Sequence, residues 1–213
     1  MRALPFVALL LAASPLAAQD ADRAVAGGGT FPAGWHVRPD QPTASAANVR
    51  FFPVGADFHV TTGPAAVFWN PANAATGEYR ARATFMQTRA PTHPEAYGLI
   101  LAAKNLDGAP PAGPEYIYFV IRGDGKYLVR HRAANGDLHN VVEWTEHAAI
   151  TKQDAEGKAT NAVVAEGGAF GVRFLVNGQK VAEFPGVGSA GIVGLRVNHN
   201  LDVHVSGFAV EKM

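Results

Sequence analysis

The chain has 213 residues, with 18 Lys+Arg against 18 Asp+Glu and no Cys. Zero Cys excludes disulfide frameworks, thiolate metal centres, thiol nucleophiles and a lipid anchor on an N-terminal Cys. The charge balance argues against a nucleic-acid platform, and 48% apolar against 17% charged residues describes a folded chain of about one domain.

Met1-Arg2, an apolar run from Ala3 to Ala13 and the small residues before Gln19 read as a secretory signal peptide over 1–18. The run is too short to cross a bilayer, which takes about 20 apolar residues. The expected destination is the periplasm or the cell exterior. Residues 19–30, with Gly27-Gly28-Gly29, read as a flexible linker, and a single domain is expected over 31–213.

From there the apolar period is close to two. Short strands are expected at Val49–Phe52, Phe58–Thr61 and Ala65–Phe68. In Glu78–Gln87, Tyr79, Ala81, Ala83 and Phe85 alternate with Arg80, Arg82, Thr84 and Met86. Tyr97–Ala102 follows, and Glu115–Arg122 is apolar on both faces, as in a strand covered on both sides. Gly123-Asp124-Gly125 and Asn135-Gly136-Asp137 join it by hairpins to Lys126–Arg132 and His139–Trp144. Glu146–Lys158 has no apolar stripe and reads as loop. Strands at Asn161–Ala165, Phe170–Val176, Gln179–Phe184, Ile192–Val197 and Val203–Val210 complete the series, with Asn177-Gly178 as a type I′ turn. Many short strands with turn residues between them and no helix pattern predict an all-β, two-sheet antiparallel sandwich.

The segment order resembles the concanavalin A-like jelly rolls, particularly the laminin-G-like and 3-keto-disaccharide hydrolase domain families. It is carried by Gly34-Trp35, Tyr79–Phe85, Ala96–Ile100, Tyr116–Val120, Gly123–Tyr127, Phe174–Gln179, Gly191–Arg196 and Val205–Val210. The resemblance implies a curved sandwich whose concave sheet binds a saccharide; some relatives cleave glycosidic linkages and many only bind. The Glu-x-Asp-x-x-Glu strand of laminarinase-type glucanases is absent, and no relative's catalytic residue maps onto this chain.

Two constellations are candidates for ligand contact. The loop Thr88–Glu95 holds His93 and Glu95 between prolines, either as a rigid binding loop or as a plain strand connection. Arg80, Arg82, Arg130, Arg132 and Glu143, with Tyr116, Tyr118 and Trp144, would share one sheet face if their strands adjoin. The alternative there is cross-strand Arg–Glu pairing on a solvated face. The expected ligand set is therefore Arg82, His93, Glu95, Tyr118, Arg130, Arg132 and Glu143, with a saccharide as partner and no metal or cofactor. Asn198, Asn200 and Asp202 could supply oxygens to calcium, or could simply form a turn. His131, His139 and His147 are spread over one hairpin. A glycoside-cleaving enzyme would draw its carboxylate pair from Glu95, Glu143 and Asp107. An envelope interaction protein with no small ligand is the third option. Serine-hydrolase, P-loop and dinucleotide motifs are absent, and oligomeric state is left open.

Overall fold

A computed structural model describes residues 21–109 and 111–213; the expected signal peptide lies outside the described residues. Fourteen strands are described: β1 (His36–Pro39), β2 (Val49–Val54), β3 (Asp57–Thr62), β4 (Ala66–Ala75), β5 (Tyr79–Gln87), β6 (Ala96–Lys104) and β7 (Glu115–Arg122). Then follow β8 (Lys126–Arg132), β9 (Leu138–Glu146), β10 (Ala159–Gly168), β11 (Gly171–Val176), β12 (Gln179–Pro185), β13 (Gly191–Val197) and β14 (Asp202–Lys212). One 3₁₀ turn, Ala46–Asn48, is capped by the Ser45 hydroxyl, which accepts from the Ala47 amide. β1 is the strand that periodicity missed, because four residues ending in Pro carry almost no alternation.

The strands form two antiparallel seven-stranded sheets. The front sheet runs β1-β4-β13-β6-β7-β8-β9 and the back sheet β12-β11-β10-β5-β14-β3-β2. Turn chemistry places the hairpins where the sequence puts them: Asn177 and Gly178 both have positive φ, at 49° and 79°, as a type I′ turn requires.

Directly opposed residues of antiparallel strands share a face, so the register alone defines what each face carries. Phe68, Leu195, Leu99, Phe119 and Val129 form one continuous row across the front sheet, all turned toward the back sheet. They meet Phe51, Phe85, Val163 and Phe174 of the back sheet in the core. Phe119 and Phe174 stack with centroids 4.6 Å apart and planes at 9°. Each such side chain, fully buried, contributes roughly 1.5–3 kcal/mol relative to exposure.

The outward faces differ in kind. On the back sheet Arg80, Glu166, Arg173 and Glu183 lie opposite one another in a row of alternating charge. Their ion pairs measure 2.6 Å for Arg80–Glu166, 3.2 Å for Arg173–Glu166 and 2.7 Å for Arg173–Glu183. That is a solvated face. The outward face of the front sheet instead buries a second apolar cluster containing Trp69, Ile100, Tyr116, Tyr118, Val120 and Leu128.

Residues 21–30 hold no helix or strand and lie along the domain. Arg23 donates from Nε to the Thr62 carbonyl at 2.8 Å and from a terminal nitrogen to the Leu201 carbonyl. The Arg23 amide reaches Asn200 Oδ1 at 2.8 Å, and Asn200 Nδ2 donates to the Ala21 carbonyl at 3.0 Å. The loop 147–158 is tied down from below by Gln87, whose Nε2 donates to Gln153 Oε1 at 2.8 Å and to the Gly157 carbonyl at 2.6 Å. Among the described residues no helix is long and apolar enough to cross a membrane.

Candidate functional site

The outward face of the front sheet is built from two neighbouring rows. Val67, Arg196, Gly98, Val120 and Leu128 form one; Trp69, Gly194, Ile100, Tyr118, Arg130 and Asn140 form the next. Gly98 and Gly194 leave the middle of this face without side chains, and larger groups close over the gap.

Arg196 is the central one. Its side chain is 8% exposed, and it crosses the Gly98 gap to place its guanidinium 4.6 Å from the Tyr118 ring centroid. The other side of its fork is taken by Asp40, just after β1, through Nη1–Oδ1 at 2.9 Å and Nη2–Oδ2 at 2.5 Å. Burial alone would raise the Asp40 carboxyl, but the Arg196 charge and hydrogen bonds outweigh it and hold Asp40 below the ordinary aspartate value. Arg196 itself is shifted up: burial disfavours its charge, and the Asp40 carboxylate more than compensates.

Above these residues lies a hollow of about 560 Å³. Its floor is Tyr118, Val120 and Leu128, and Arg130 and Trp144 stand toward the β9 side. Arg122 stacks on Trp144, 4.3 Å from guanidinium carbon to ring centroid, and is held in that pose by a bidentate pair to Asp124 at 2.8 and 2.7 Å. One end is walled by loops that bring in Asp22, Asp40, Glu95, Asn198 and His199. Glu95 Oε1 lies 3.2 Å from His199 Nε2. Burial pushes the Glu95 carboxyl up, against the opposing pull of His199 and the Asn198 side chain. Two polar atoms of this hollow, Arg196 Nε and Asn198 Oδ1, are buried without a hydrogen-bond partner among the described residues. One is a donor and the other an acceptor, and each left unpaired costs roughly 1–3 kcal/mol.

The sequence-predicted residues divide accordingly. Glu95, Tyr118 and Arg130 come together around the hollow. Glu143 sits exposed on edge strand β9 and joins only indirectly: Arg130 Nε donates to Asn140 Oδ1, and Asn140 Nδ2 donates to Glu143 Oε1 at 2.5 Å. Arg132 points into a separate narrow cleft beside Tyr116 and Arg38. His93 is exposed in the loop that carries Glu95. Arg82 corrects the expectation of a shared face: β5 belongs to the back sheet, where Arg82 pairs with Glu211 at 3.0 Å and donates to the Gly207 carbonyl. The loop 88–95 therefore passes from one sheet to the other rather than joining neighbours. Asp107 is exposed in the β6–β7 connection, away from the hollow's lining.

Sequence reasoning missed Asp40, Arg122 and Arg196. A signal existed for Arg196: it alternates with Leu195 and Val197 inside an otherwise apolar strand, where a lone guanidinium needs a partner. Asn198, Asn200 and Asp202 diverge, to the hollow, to Arg23 and to His59 respectively. Among the described residues no group of three or more His, Asp or Glu is gathered as a metal site.

No family model matches the chain, and no curated protein matches its sequence. Solved structures match its fold. The carbohydrate binding module CBM66 from Bacillus subtilis aligns with a TM-score of 0.60 and 10% identity, over 84% of this chain and 96% of that one. A Bacillus subtilis protein of unknown function with a galectin-like fold gives 0.59 and 14%, over 84% and 89%. The Bacillus licheniformis beta-glucanase gives 0.54 and 11%, over 86% and 94%. At such identities the likeness is one of fold, and that fold is the concanavalin A-like jelly roll of lectins and glucanases.

Proposed function

We propose that the hollow on the outward face of the front sheet binds a carbohydrate. The observation that carries this reading is the hollow itself, which gathers Glu95, Arg130, Asn198 and His199 around Tyr118 and Trp144. Sugars offer hydroxyls that both donate and accept, together with C–H faces that pack on aromatic rings; charge-paired Arg side chains hold their donors in fixed directions for such hydroxyls. The carbohydrate-binding and lectin-like neighbours support the same reading through the shared scaffold. Three carboxylates wall the hollow: Asp40 is committed through both oxygens to Arg196, Glu95 is paired with His199, and Asp22 is the third. Binding is favoured over glycoside cleavage because two of the three are already held in ion pairs, and of the acids nominated from sequence only Glu95 is among them.

Calorimetric titration against a panel of oligosaccharides tests the assignment. Trp144→Ala and Arg130→Ala are each expected to weaken the best ligand about tenfold to thirtyfold, whereas Arg82→Ala, on the opposite sheet, leaves it unchanged. Equal effects at Arg82 and Arg130, or no saccharide bound at all, would refute it. Export is part of the proposal on the N-terminal sequence alone, and a processed chain starting near Gln19 in a periplasmic or culture fraction is its test.

A further inference from the structure

We propose that a second site, between the two sheets on the β9–β12 side, takes the aliphatic chain of a single-chain amphiphile. β9 and β12 end their respective sheets on the same side of the sandwich and are not hydrogen-bonded to each other, so the two layers part there. The opening leads into a slot of about 490 Å³. Ile117 and Val129 form its wall on the front sheet, and Val172, Phe174 and Phe184 on the back. Ala102 and the exposed Gly188 and Ala190 form its edge with almost no bulk, and a side chain on Gly188 would meet nothing within 4 Å. Val141 stands at the mouth, 46% exposed.

Polar groups are confined to one part of the rim. Lys104 lies opposite Glu115 in the β6–β7 register, and Glu115 Oε1 is 3.5 Å from His131 Nε2. An apolar slot of this volume with a few convergent polar groups is the usual form of a small-molecule site. Water inside it would face walls that offer few hydrogen bonds. A sugar would lose its hydroxyl partners along the same walls, so this site and the hollow on the outer face select different ligands. Its inner walls, Val129, Val172 and Phe174, are almost completely buried, so the space narrows toward them, which suits a slender chain and not the face of a folded partner. The rim presents an ammonium, a carboxylate and an imidazole together, so an anionic head meets Lys104 as an attracting charge, whereas a neutral alcohol head meets all three as hydrogen-bonding groups.

The test is calorimetric titration of the full protein with octanoate, decanoate and dodecanoate and with the matching alcohols, all below their micellar concentrations. Each methylene transferred from water into the slot should tighten binding about fourfold, until the slot is full. Acids binding better than alcohols would assign the head to Lys104; equal affinity would assign it to the mixed rim. Gly188→Phe sets an aromatic ring at the slot's exposed edge, at a position with ordinary backbone, and is expected to weaken dodecanoate at least tenfold without changing the β-type circular dichroism. Should that variant fail to fold, Val141→Glu at the exposed mouth is expected to weaken dodecanoate at least tenfold. Affinity that does not rise with chain length overturns the proposal, as does affinity untouched by Gly188→Phe in a folded protein or by Val141→Glu.

Discussion

Arg196 and Tyr118 stack on each other across an intervening strand, with 4.6 Å from guanidinium carbon to ring centroid. The contact exists because the residue between them is Gly98, which pairs with Arg196 on one side and with Val120 on the other. A side chain at that position would drive into the β7 backbone at Phe119 and Val120, next to Tyr118 in the chain. The same guanidinium anchors Asp40, so one residue couples the sheet floor to the wall of the hollow.

The Arg196–Asp40 pair is asymmetric, and its two halves should respond differently to removal. Arg196 is 8% exposed and Asp40 27%. Asp40→Asn leaves a buried guanidinium without its counter-charge and is expected to cost about 2–4 kcal/mol. Arg196→Met leaves a carboxylate that can rehydrate and sets an apolar side chain over Tyr118, so its cost should be no more than about half of that. Urea denaturation of both single variants and the double variant checks this; a larger loss for Arg196→Met contradicts it.

Glu95 gives stability a distinctive pH dependence. Burial raises its carboxyl in the folded state above the ordinary glutamate value of 4.5. Between those two values the folded protein holds more protons than the unfolded chain, so stability falls as pH rises through that window. Asp40 and Asp202 are shifted down, so their contribution is present above the ordinary aspartate value of 3.8 and is lost as pH falls through their lower folded values. Glu95→Gln should remove the decline above 4.5 and leave the acid limb intact. Thermal unfolding from pH 2.5 to 7.5 measures both, and an unchanged decline in the variant counts against a raised Glu95.

Gly98→Ala should be poorly tolerated. A Cβ there would run into the Phe119 carbonyl oxygen and press on the Val120 backbone, neither of which can swing aside like the tip of a long side chain. Overpacking of this kind costs about 2 kcal/mol, or roughly 4–8 °C in Tm for a chain of this size. Saccharide binding should weaken in the same variant, because the β7 backbone that carries Tyr118 and Val120 is pushed away from β6. A Tm within 1 °C of the parent, by calorimetry, would show that the strands adjust freely.

Arg23 pins the N-terminal segment that brings Asp22 to the hollow. Hydrogen bonds to a charged donor contribute about 1.5–3 kcal/mol. Arg23→Ala is therefore expected to open residues 21–30 to limited proteolysis while the sandwich stays intact, and to reduce saccharide affinity several-fold. Parent-like protease resistance would place the anchoring elsewhere.

Much of this architecture is legible from spacing. Strands β7 and β8 coincide with the ranges their alternation predicts, because period two and turn residues are local properties fixed by neighbours in the chain. The Asn177-Gly178 turn follows from the same local chemistry. What alternation cannot say is which sheet a strand joins, since an outward arginine looks the same on either face. Arg82 and Arg130 read alike in sequence; pairing of β5 with β10 and β14 puts the first on a charged, solvated surface, and pairing of β8 with β7 puts the second on the rim of the hollow. Asp40 and Arg196 are 156 positions apart, and Arg196 reaches over strand β6 to Tyr118 on β7. Such contacts depend on long-range register, which is set by the packing of both sheets together. The two-layer fold was thus written into the chain residue by residue, whereas the binding hollow came into being only when distant strands were laid side by side.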